Sequence, residues 1–223
     1  MKELEIKIDD LKHNLNSIKR HAKGTKIIAV VKANGMGFDL IKYSRFLIDN
    51  GIENLAVATT DEAEKLRFAG IDVKILMLSE VFSDEELEIL IENDITLTIG
   101  SIEEKEKIEK LAVKLKKQVN AHIKIDTGFG RYGFIYTNEN EILEAIKDSE
   151  NIKITGVYTH FSKPIDFKWT NKQFQRFMVL MQKIKPINPN LIFHCSNSTA
   201  FILYPEMNLD AVRLRFLYSE EEF

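Results

Sequence analysis

The stretch KIIAVVKANGMGF, Lys26–Phe38, joins an unbroken apolar run to a lone lysine and then to a loop carrying two glycines, Gly35 and Gly37. Five apolar residues without polar alternation fit a strand covered on both faces, which is the condition of parallel sheets. The same texture returns along the chain. NLAVA (54–58), VKILML (73–78), ITLTI (95–99), VNAHIKID (119–126), IKITGVY (152–158), NLIFHC (190–195) and LDAVRL (209–214) are continuous or nearly continuous apolar runs. Amphipathic helical patterns separate them.

Those helices carry their own punctuation. The patterns at 39–51 and 60–70 end at Gly51 and Gly70, as helix C-termini do. The pattern at 83–93 opens on a serine followed by acids, and the one at 101–117 follows a serine and places Glu four residues before Lys on its outer face. Eight strands with intervening helices, preceded by a helix at about 8–22, predict an α/β fold of the (β/α)8 TIM type. An open doubly wound sheet is the rival; even spacing and the lack of a second-domain signal favour the barrel.

Composition narrows the function classes. The 223 residues are 44% hydrophobic and 29% charged, as in ordinary globular chains. With 31 basic and 34 acidic side chains the net charge is -3, so no basic field invites nucleic acid. No apolar run is long enough to span a bilayer, and the N-terminus lacks the apolar core of a signal peptide. The single cysteine, Cys195, excludes an intramolecular disulfide and a CxxC metal site, and a reduced cytoplasmic setting is expected.

In either parallel architecture the chemistry sits at the C-terminal ends of strands. Lys32 leaves the first strand, where partial desolvation would lower its pKa and favour the nucleophilic amine; a lysine simply reaching into solvent is the plainer alternative. The run HIKIDTGFGRYG brings Lys124, Asp126 and Arg131, YTHFS brings His160, HCSNS brings His194, Asn197 and Ser198, and the last strand brings Arg213. Gly128, Gly130 and Gly133 spell GxGxxG, but no helical pattern follows until about Glu139, so the helix end that would receive a pyrophosphate is missing. Asn197, Ser198 and Thr199 suit a phosphate or, equally, a helix cap supplied by Ser198. His160 and His194 are compatible with a general base, a ligand or a satisfied interior histidine, and without nearby carboxylates they make a weak metal site. Cys195 reads as packing.

Taken in order, AVVKANGMG, IKIDTGFGRYG, GVYTHFS, HCSNSTA and DAVR resemble the motifs of the alanine racemase family across roughly residues 5–213. The resemblance implies pyridoxal 5'-phosphate held by Lys32 as a Schiff base, with Lys32 also moving the α-proton on one face of the substrate. It implies that Arg213 bonds the pyridine nitrogen, that Ser198 and Asn197 contact the phosphate, and that Arg131 fixes a carboxylate or the phenolic oxygen. His160 would stand near Arg213, and Lys124 matches a position that is carbamylated in some members. The implied partner is a small amino acid, alanine first, with a homodimer as the assembly the resemblance suggests and with no nucleic acid or membrane involved.

Three departures from the family pattern are visible. Met36 stands for a tyrosine and Phe38 for a histidine, so a hydroxyl that would reach the phosphate is lost. Arg215 stands for a glycine. The sequence ends ten residues after Arg213. The expectation is therefore one barrel domain, 1–223, with 214–223 as an atypical tail and without the C-terminal β-domain whose tyrosine serves the opposite substrate face. Two functions follow as alternatives: an amino-acid racemase in an N-terminal-domain-only form, or a non-catalytic single-domain protein of pyridoxal phosphate homeostasis.

Overall fold

Nine strands run in one direction, each returning through a helix or loop on the outside. In the computed structural model, which describes residues 6–215, they are β1 (Lys26–Val30), β2 (Asn54–Val57), β3 (Lys74–Met77), β4 (Leu97–Ile99), β5 (Val119–Asp126), β6 (Phe134–Ile135), β7 (Ile152–Tyr158), β8 (Ile192–His194) and β9 (Ala211–Leu214). Their order is β3-β2-β1-β9-β8-β7-β5-β4, with β6 lying off this path beside β5. A parallel bridge between Leu76 and Thr96 joins the two ends. The result is a nearly closed barrel of eight parallel strands, and the doubly wound alternative is excluded. The two-residue β6 was not foreseen, because it is too short to show a period.

Period-two alternation explains the burial. On β1, Ile28 and Val30 join Ala56, Leu76 and Ala211 in a small cluster apart from the main core. Ala29 and Val31 belong instead to the larger cluster, with residues of the surrounding helices. Both kinds of position are buried, so the strand reads as continuously apolar. Each fully buried Leu or Ile contributes about 1.5–3 kcal/mol before conformational entropy is counted.

The helix Ile8–Ala22 precedes the barrel. Thr59, Ser83 and Ser101 cap the helices Thr60–Phe68, Asp84–Glu92 and Ile102–Leu115, each hydroxyl accepting the N–H of a glutamate three residues on. Each of these sequences is a capping box. Among the described residues no helix is long and apolar enough to cross a membrane. Of the expected tail, residues 216–223 lie outside the described part.

Candidate active site

At the C-terminal ends of the strands the barrel opens into a cavity of about 520 Å³. Lys32, Lys124, Arg131, His160, Asn197, Ser198, Arg213 and Arg215 all line it, so positions spread over more than 180 residues of sequence meet on one surface. Five of the lining side chains are basic and one, Glu80, is acidic. A cavity so charged favours an anion.

The backbone turns sharply directly after Lys32. Ala33, Asn34 and Gly35 take φ of 54°, 54° and 64°, and Met36 takes 57°, which makes a single left-handed turn. For non-glycine residues this conformation costs roughly 1–2 kcal/mol each, so the surroundings must hold it. At Gly35 a Cβ would stand 3.2 Å from the Leu40 backbone and 3.3 Å from Tyr43, which is why glycine sits there. The Asn34 side chain accepts the Leu40 N–H at 3.1 Å. The Glu62 carboxylate accepts the Ala33 N–H at 2.6 Å and the Ala58 N–H at 3.0 Å. Met36 is not among the cavity-lining residues. The Lys32 amine is held below its ordinary pKa, first by burial and then by Arg215 and Arg131, while Glu62 acts the other way.

Arg213 is buried in β9 at 4% exposure. Its Nη1 donates to His194 Nδ1 at 2.7 Å, and its Nη2 to the Thr159 carbonyl at 2.7 Å and the Cys195 carbonyl at 3.2 Å; His160 Nδ1 lies 3.3 Å from Nη2. Its guanidinium lies 4.8 Å from the centre of the Tyr158 ring. These partners are neutral, and among the described residues no carboxylate is paired with this buried cation. Because guanidinium only donates, His194 Nδ1 must accept and its proton sits on Nε2. That proton faces His122 Nδ1 at 3.0 Å, which in turn places the His122 proton on its own Nε2. Burial, then Arg213, keeps both rings neutral: His122 is pushed down to about 3, and His194 well below its ordinary value. His160 is likewise pushed down to about 3, by burial and then Arg213.

A carboxylate organises the loop after β5. Asp126 accepts the N–H groups of Gly128, Phe129 and Gly130 at 2.7 Å and of Arg131 at 3.1 Å. The Arg131 guanidinium then lies 4.3 Å from the Phe129 ring centre, and Phe129 packs on His160 at 5.6 Å. The GxGxxG glycines thus build a loop that returns the chain to run parallel beside β5 as β6, and the next helix begins only at Glu139. Lys124 donates to the Tyr132 carbonyl, and burial pulls its amine down to about 8. The Tyr132 hydroxyl bonds Glu104 at 2.9 Å.

At the far wall, Asn197 caps the short helix Ser198–Leu203 by accepting the Ala200 N–H at 3.0 Å. The expectation that Ser198 supplies the cap is therefore corrected: the turn ends one residue earlier, and the Ser198 hydroxyl instead accepts the Arg215 N–H at 2.9 Å. Cys195 is fully buried and donates to the Met207 carbonyl, consistent with packing.

Sequence reasoning missed Glu62, His122, Tyr158 and Glu104. For His122 a signal existed, since it stands two residues before Lys124 on a strand and shares its face. Glu62 reads in sequence only as a first-turn acid.

A family model described as "Alanine racemase, N-terminal domain" matches residues 6–214. The alanine racemase of Methanococcus maripaludis is 39% identical over 214 residues, covering 94% of this chain and 57% of that protein. The alanine racemase of Clostridium difficile 630 superposes with a TM-score of 0.88 at 34% identity, covering 95% of this chain and 57% of that one. Another structure of it, described as a complex with cycloserine, gives a TM-score of 0.89 at 34% identity, with 95% and 60% covered. The chain thus spans little more than half the length of the relatives it matches.

Proposed function

The chain belongs to the alanine racemase family through that family's N-terminal domain, and from this premise we propose that it binds pyridoxal 5'-phosphate at Lys32 and serves the interconversion of L- and D-alanine. The observation that carries the reading is the pairing, within one cationic cavity, of a desolvated Lys32 amine with a buried Arg213 that has only neutral partners. When bound, the cofactor supplies an electron sink for the pair left behind as an amino acid loses its α-proton.

The residues fit that group. A phosphate dianion meets net positive charge, and the Ser198 hydroxyl, which accepts the Arg215 N–H at 2.9 Å and donates only a long 3.5 Å bond to the Arg215 carbonyl, could turn its proton to such a group. The Arg215 side chain lines the same cavity, so it adds a cation that such a phosphate could meet. Arg213 would donate to a ring nitrogen and, unable to release its proton, would leave that nitrogen unprotonated. His160 and His194 remain neutral and hold Arg213 in place. Lys32 carries the proton on one face of the α-carbon, and Arg131 faces the substrate carboxylate.

Inversion needs a second proton carrier on the opposite face. Tyr132 and Tyr158, the two tyrosines lining the cavity, are both engaged, with Glu104 and with Thr98 respectively. That observation keeps the second reading in view, a non-catalytic carrier of pyridoxal phosphate. We further propose that the protein is cytoplasmic and a homodimer, the latter to be tested by sedimentation.

Borohydride reduction with pyridoxal phosphate should fix the cofactor on the Lys32 peptide, and Lys32→Ala should abolish the adduct. Incubation of alanine in D2O then separates the two readings. Deuterium at the α-carbon of the opposite enantiomer supports the racemase reading, and an adduct with no opposite enantiomer formed supports the carrier.

A further inference from the structure

The helix Thr60–Phe68 opens with a capping box whose glutamate leaves its own helix. In such a box the glutamate returns to the N–H of the capping residue, here Thr59. Glu62 passes it by. One oxygen takes the Ala58 N–H at 3.0 Å, at the end of β2, and the other crosses to the Ala33 N–H at 2.6 Å. Ala33 is the residue directly after Lys32 and the first in the left-handed turn, with φ of 54°. Its N–H is therefore directed away from any strand or helix partner. The box Ser83/Glu86 gives the contrast, since Glu86 is exposed whereas Glu62 is buried at 9% exposure.

The geometry points to Glu62 as a positioning residue for Lys32: its carboxylate clamps the backbone after the lysine to the end of the neighbouring strand and holds the strained turn closed. This rests on the reading of Lys32 as the cofactor-bearing amine. The clamp also brings a negative charge to bear on that amine. The opposing groups are Arg215, following β9, and Arg131, in the loop after β5. Lys124, His160, Arg213 and Glu80 line the remaining walls. Removing the Glu62 charge leaves the cations unopposed from that side, so the amine should lose its proton more readily.

The test is the pH profile of Lys32 acylation by acetic anhydride, measured by mass spectrometry on cofactor-free parent, Glu62→Gln, Glu62→Asp and Glu86→Gln. Glu62→Gln should lower the midpoint by about half a pH unit, giving roughly threefold more reactive amine below it. Glu62→Asp keeps the charge and should keep the midpoint, but its shorter arm cannot span both N–H groups. Amide exchange at Ala33 should then rise about tenfold or more once that bond is lost. Glu86→Gln should match the parent. An unmoved midpoint in Glu62→Gln overturns the inference, and so does an Ala33 amide no faster in Glu62→Asp. Failure of the parent to take up pyridoxal phosphate at Lys32 overturns the cofactor reading instead, and the acylation profile does not depend on it.

Discussion

Lowering the pH should unfold this protein through its buried histidines, and the effect of replacing His122 can be worked out from the site. His122 and His194 lie inside the barrel at 7% and 0% exposure, bonded to one another, with His194 also accepting from Arg213. His194 Nδ1 must accept from Arg213 and His122 Nδ1 from His194, so neither ring can take a second proton without breaking the chain. Their folded pKa values are depressed below that of the unfolded chain, near 6.5. The unfolded state therefore binds more protons below about pH 6.5, and stability, complete above that pH, falls as the medium is acidified. At pH 5 each ring costs about 2 kcal/mol relative to pH 7.5, or about 4 kcal/mol for the pair, a large share of a typical total. His160, on the cavity wall and pushed down to about 3, acts in the same sense. Lys124 acts in the same sense only between about 8 and its unfolded value, outside this window. In His122→Asn the amide oxygen can still accept from His194 but cannot titrate. Urea unfolding followed by circular dichroism at pH 7.5, 6.5, 5.5 and 5.0 should show its pH dependence reduced by about one proton, 1.4 kcal/mol per pH unit. Equal slopes in the two proteins would refute the reasoning, whatever the absolute stability of the variant.

Further outcomes rest on separate features. Gly133→Ala places a Cβ 2.7 Å from the Lys124 carbonyl at φ of 113°, and should cost about 2–3 kcal/mol in chemical denaturation. Ala33→Gly should act in the opposite direction, stabilising the fold by about 0.5–1 kcal/mol by relieving left-handed strain, as read by the same titration. Asp126→Asn gives up an anion that holds four N–H groups; a loss of about 2 kcal/mol is expected, with faster amide exchange confined to 128–131. Lys124 should be acylated with a midpoint near 8, as read by mass spectrometry, which leaves part of its amine neutral and open to carbon dioxide near neutral pH.

What the sequence determined by itself was the alternation of apolar runs with amphipathic helices, and hence where each strand ends. Period two, period 3.6 and capping residues are local properties, so the apolar run from Lys26 and the capping serines Ser83 and Ser101 could be placed without knowing their neighbours. Because parallel strands gather their C-terminal ends, the same reading marked Lys32, Arg131, His160, Ser198 and Arg213 for one face, and all five line the cavity. Tertiary structure decided the partners. Glu62 meets Ala33 from 29 residues away and Arg213 meets Thr159 from 54, pairings that no local period encodes. The tautomers of His194 and His122 likewise follow only once Arg213 is seen to donate into that chain. A hydrogen bond depends on distance and direction through space, and those were fixed only when the barrel closed.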